Sequence, residues 1–120
     1  MTHPQHLERY SPAIARVLAR WPDSSVREVL DAVAQGTAQL FEAGPNGVIV
    51  TRLIEEPTRL VCLVWLASGD LDRLLERYAD VESWARSHEV DTMRIQGRAG
   101  WLRVLDGFSQ VGVILEKGLG

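Results

Sequence analysis

The apolar positions of the chain change rhythm along its length, and each change marks an element. After Ser11-Pro12, an N-cap followed by a proline at the first helical position, Ile14, Val17, Leu18 and Trp21 recur at helical spacing until Pro22 stops them. Ser25 with Glu28 three residues on is a capping-box pattern. Val26, Val29, Leu30 and Val33 then line one face of a second helix, which Gly36 ends. From there the pattern is that of strands. Residues 37–43 form a short candidate strand, Gly44-Pro45-Asn46-Gly47 is a dense turn signal, and the β-branched run VIVTRLI covers 48–54. Glu55-Glu56-Pro57-Thr58 reads as a solvated turn into 59–67, the most apolar stretch of the chain. The expectation is a three-stranded antiparallel meander whose last strand is covered on both faces.

Ser68-Gly69-Asp70 breaks that strand, and Leu71, Leu74, Leu75, Tyr78, Val81 and Ala85 then form a helical stripe over 71–87. DTMRIQ, residues 91–96, reads as a short strand, and joining it to 59–67 through a long helix favours a right-handed parallel crossover. A short helix over 98–106 and a last strand over 108–117 follow, while residues 1–10 have no periodicity and are expected to be an extended or loosely ordered arm. The predicted class is therefore α/β (α+β), in the order ααβββαβαβ, with helices on both faces of one mixed sheet. Residues 11–120 form a single domain behind the arm.

Composition narrows the reading only slightly. With 120 residues, of which 46% are apolar, the chain can bury a core without disulfide or metal. Thirteen basic and sixteen acidic residues give a charge of -3, which recommends neither a nucleic-acid nor an anionic-membrane partner. The longest apolar run, residues 60–67, is far short of the ~20 residues of a membrane span, and no signal-peptide pattern opens the sequence. The lone Cys62 sits in the apolar run as a buried hydrophobe, which suits a reducing cytoplasm.

The order of elements, with a long helix between two parallel strands, resembles the GCN5-related N-acetyltransferase (GNAT) fold. Members of that family typically close with a strand, an Asn, a small residue, a short helix carrying a Tyr, then Gly-Phe and a last strand. The stretch QGRAGWLRVLDGF lies on that pattern through Gly107-Phe108, with Ala99 and Leu102 at the small and apolar helix positions. It is also similar to short GNAT-like proteins of tailed phages, in which GR-x-GW-x-R-x-L recurs. Here that stretch is Gly97, Arg98, Gly100, Trp101, Arg103 and Leu105.

The sequence departs from the family at two places. Catalytic members follow the strand matching 60–67 with an Arg/Gln-x-x-Gly-x-Gly/Ala loop, whose amides hold the pyrophosphate of acetyl-CoA at a helix N-terminus. This chain has Ser68-Gly69-Asp70-Leu71-Asp72-Arg73, with one glycine and two carboxylates that favour an ordinary capped helix and repel a phosphate. The family's leaving-group Tyr falls on Arg103, which cannot donate a proton at working pH, and its Asn falls on Gln96. As alternative chemistry, Tyr78 is expected in the core, and Glu42, Glu55 and Glu56 are the carboxylates on or near the meander that could serve as a base.

The remaining candidates have ordinary readings. His3, His6, His88 and Cys62 lack metal-ligand spacing, and His88 suits the C-terminal end of the long helix. Ser68 reads as a cap, and Trp65 and Trp84 as core. Trp101, flanked by Arg98 and Arg103, is the candidate interface. Two functions result. The resemblance with its departures implies a non-catalytic, phage-type structural or assembly protein, without cofactor, that binds other phage structural proteins or itself as a homo-oligomer, in the host cytoplasm or the virion. The alternative is an acetyl-CoA-dependent N-acetyltransferase of small or protein amines. There the cofactor would lie on Gly69, Asp70 and Leu71, with a strand N–H near Leu66 polarising the thioester.

Overall fold

A computed structural model describes residues 5–19, 24–95 and 117. The second predicted helix is capped as its sequence requires: the Ser25 hydroxyl accepts from the Glu28 N–H at 3.1 Å, and Gly36 closes the helix at φ 82°. That helix is α2 (Val26–Gln35), preceded by α1 (Ser11–Leu18). Three strands follow, β1 (Gln39–Glu42), β2 (Val48–Glu56) and β3 (Arg59–Ser68), then α3 (Leu71–Ser87) and β4 (Thr92–Ile95). The sheet order is β1-β2-β3-β4, antiparallel across the meander and parallel between β3 and β4. The predicted mixed sheet and its crossover are thus present.

The sheet is packed on both faces. Ile14, Val29 and Leu30 of the first two helices meet Val48, Val50 and Leu66 on one side. Leu74, Tyr78 and Val81 of α3 meet Ile49 and Val64 on the other. Each fully buried Val, Leu or Ile contributes on the order of 1.5–3 kcal/mol of apolar transfer, which is what fastens the helices to the sheet.

Several segments differ from expectation for identifiable reasons. Residues Gln5–Tyr10 form a 3-10 helix instead of an extended arm, because Leu7 inserts into the core beside Ala13 and Ile14. Tyr10, not Ser11, is the N-cap residue of α1, and the Ser11 hydroxyl instead donates to Glu8 at 2.9 Å. β1 starts later than residue 37 because the N–H groups of Thr37 and Ala38 both donate to the Ala32 carbonyl, prolonging the close of α2. Glu55 and Glu56 belong to β2, not to a turn, since they pair with Leu60 and Arg59 across a hairpin closed by Pro57-Thr58. Trp65 and Trp84 are half-buried, not fully enclosed. The helix expected over 98–106 lies outside the described residues, as does the strand over 108–117 apart from its last residue, Lys117, which is exposed and in no strand.

Candidate functional site

β3 carries an irregularity that the sequence does not announce. Val50 is opposite Leu66 but Thr51 is opposite Val64, so Trp65 is an extra residue bulged from the β2 ladder. The described pairing with β4 ends at Val64 and Ile95, one residue before the bulge. Beyond it β3 runs on through the buried Leu66 to Ser68 and turns into α3 at Gly69.

That turn is built from backbone. Gly69 has φ +140°, a conformation that L side chains rarely adopt, and a Cβ on it would stand 2.7 Å from the Cα of Gly47 in the β1–β2 connection. Asp70 is the N-cap residue of α3, yet its carboxylate makes no capping hydrogen bond. The expected side-chain cap is therefore missing. The first intrahelical bond runs from Leu74 N–H to the Asp70 carbonyl at 2.9 Å, so the amides of Leu71, Asp72 and Arg73 precede the helix's own acceptors. Leu66, Gly69, Asp70 and Leu71 lie along one continuous strand-to-helix junction. Asp70 and Asp72 are both exposed.

The carboxylates proposed as bases are separated by the sheet. Glu42 lies at the junction's end, opposite Val48, but Arg9 pairs with it at 3.1 Å. It lines a depression of about 130 Å³ together with Gly44, Arg73, Glu76, Arg77 and Asp80. Glu55 and Glu56 are at the far end of β2, about 23 and 26 Å of strand from Val48 at ~3.3 Å per residue. Hydrogen bonds from Arg94 and then Arg59 hold the Glu56 carboxyl at about 2, which leaves it a poor base near neutrality.

Tyr78 is buried on the inner stripe of α3, where burial first and Glu82 next push its phenol well above the ordinary range. It is a core residue and a weak acid. Cys62 is buried as read from its setting. His88 is the C-cap residue of α3, with Nδ1 2.9 Å from the Trp84 carbonyl and its ring stacked on Trp84. His6 is exposed, and no cluster of three or more His, Cys, Asp or Glu forms a metal site among the described residues. Gln96, Arg98, Trp101 and Arg103 lie outside the described residues. Sequence reasoning overlooked Arg52, whose guanidinium lies 4.2 Å from the Trp65 ring centroid. An arginine and a tryptophan thirteen positions apart give no local signal; only the strand register brings them together.

The chain adopts a GNAT-like fold, as comparison with solved structures bears out. It is similar to the ribosomal-protein-alanine N-acetyltransferase of Brucella melitensis biovar Abortus 2308, with TM-score 0.65 and 9% identity over 96% of both chains. A probable acetyltransferase is similar at TM-score 0.66 and 9% identity over 94% of both. The wild-type protein TTHA1254 of Thermus thermophilus matches at TM-score 0.59 and 18% identity, over 92% of this chain and 93% of that one. No family model and no curated protein matches the sequence significantly. Among the described residues no helix is long and apolar enough to cross a membrane.

Proposed function

We propose that this chain is an acetyl-CoA-dependent N-acetyltransferase that acts on a small or protein amine. The observation that carries the reading is the start of α3: behind Gly69, the amides of Leu71, Asp72 and Arg73 meet no capping carboxylate from Asp70. Such amides and the helix dipole are the natural holders of a pyrophosphate. The likeness in fold to a ribosomal-protein-alanine N-acetyltransferase and to a probable acetyltransferase, over nearly the whole chain, supports it. Asp70 and Asp72 weigh less than their sequence position suggests. Both are exposed, and in a water-like dielectric a unit charge 5 Å away costs about 1 kcal/mol.

The chemistry needs little from side chains. The Leu66 N–H polarises the thioester carbonyl, the neutral amine attacks that carbon, and the amine proton leaves to water. The C–S bond breaks as the tetrahedral centre collapses, and the thiolate takes its proton from solvent. Rate enhancement comes mainly from holding amine and thioester together.

A thermal-shift titration with acetyl-CoA tests this directly. A ligand that binds only the folded state adds about 2.7 kcal/mol at 100 times its dissociation constant. No shift at millimolar acetyl-CoA sinks the transferase reading. It would leave the non-catalytic reading, an assembly component of a phage virion; the single glycine and paired aspartates of 68–73 favour its lack of a cofactor site. Co-sedimentation with virion proteins, or self-association, tests that second reading. Under that second reading the chain works in the host cytoplasm or the virion.

A further inference from the structure

Arg52 follows Val48 and Val50 in the alternation of β2, and so lies on the sheet face that α1 and α2 cover. Its guanidinium stacks on Trp65, which packs against the same cluster. Six of the nine arginines among the described residues reach a carboxylate: Arg9, Arg27, Arg59, Arg77, Arg86 and Arg94. Arg52 reaches none among the described residues, and its Nε is enclosed without a hydrogen-bond partner. An enclosed donor left unsatisfied is costly, and a cation over an indole offsets part of that cost. The enclosed Nε is out of a ligand's reach, so an acceptor from outside the chain would meet the terminal nitrogens of Arg52, which no described carboxylate holds.

The position of Arg52 gives that acceptor a role. Trp65 is the bulged residue directly before Leu66, whose N–H the proposed transfer uses. The α3 amides suited to CoA belong to the helix on the opposite face, so Arg52 and CoA do not compete for one surface. We infer that Arg52, held against Trp65, anchors an anionic group on the acceptor, so that the substrate is an amine carrying a carboxylate or a phosphate. The inference rests on the transferase reading. The planar guanidinium matches either anion with paired N–H donors.

The test uses the full chain with succinate, inorganic phosphate and the uncharged succinamide as probes, read at the Trp65 indole N–H by NMR and assigned with Trp65→Phe. Succinate or phosphate is expected to shift that resonance, succinamide to leave it unmoved, and Arg52→Gln to abolish the response; the stronger of the two anions identifies the preferred group. Arg52→Lys, which keeps the charge without the planar fork, is expected to retain a weaker response, so a misfolded Gln variant does not end the test. Acetyl transfer to an amino acid is then expected to exceed transfer to its amide at least tenfold in kcat/KM, with Arg52→Gln removing the difference while the acetyl-CoA thermal shift persists. Absence of an anion response, or an equal response in Arg52→Gln, overturns the inference. An acetyl-CoA shift without discrimination between acid and amide overturns it while sparing the transferase reading. Anion binding with no acetyl-CoA shift overturns the acceptor assignment and the transferase reading together.

Discussion

Gly47 and Gly69 meet backbone to backbone at the junction that opens α3: a Cβ added to Gly69 would stand 2.7 Å from the Cα of Gly47. The β1–β2 turn and the β3–α3 turn are thereby locked to each other. A Cβ on Gly47 would in turn lie 2.1 Å from the Ala43 carbonyl oxygen.

Gly69→Ala is expected to destabilise the fold by about 2 kcal/mol or more, since it adds a positive-φ penalty to a backbone clash. Urea unfolding measures the loss. A variant within about 0.5 kcal/mol of the parent would mean that the two turns are not in contact.

Glu56 makes stability depend on acid in a defined window. Its folded-state pKa is about 2 against an ordinary 4.5, with the Arg94 hydrogen bond the leading cause. A depressed carboxylate stabilises fully above its unfolded value, and the contribution fades as pH falls from about 4.5 through about 2. Glu56→Gln is therefore expected to flatten the pH dependence of the melting temperature in that range. Parallel profiles for parent and variant would contradict the pairing.

Cys62 is buried, and burial raises its thiol above the ordinary range, outweighing the Thr51 hydrogen bond that lowers it. The native protein is expected to resist an aromatic disulfide reagent at pH 8 and to react within the mixing time once unfolded. Rapid stoichiometric labelling of the native chain would rule out the enclosed position.

The cap of α2 is a separate and smaller test. Ser25→Ala removes the acceptor for the Glu28 N–H and is expected to lower stability by about 1 kcal/mol, with Ser25→Gly costing a few tenths. Equal losses for the two would indicate that the hydroxyl is not the relevant group.

Elements whose signals are local were legible in the sequence. The stripe from Leu71 to Ala85 gives α3 with its bounds, and Ser25 with Glu28 gives the start of α2. What stayed hidden depends on contacts distant in sequence. Leu7 orders its segment only because a pocket exists beside Ile14. The Trp65 bulge is a property of the ladder between two strands, and no alternation in β3 alone reveals it. Asp70 illustrates the opposite failure: the right residue stands at the N-cap, but its side chain does not turn back to cap the helix. That difference moves the candidate site from a closed helix end to an available one.

The order β1-β2-β3-β4 has a kinetic consequence. Two of the three strand pairings close through short turns, while the third must wait for α3 to bring β4 back to β3. Loop-closure entropy makes the hairpins the early contacts and the crossover the late one. Substitutions in the β2–β3 hairpin are thus expected to slow refolding, whereas Ile95→Val in β4 should mainly hasten unfolding. Stopped-flow chevrons with the reverse assignment would place the nucleus in the crossover.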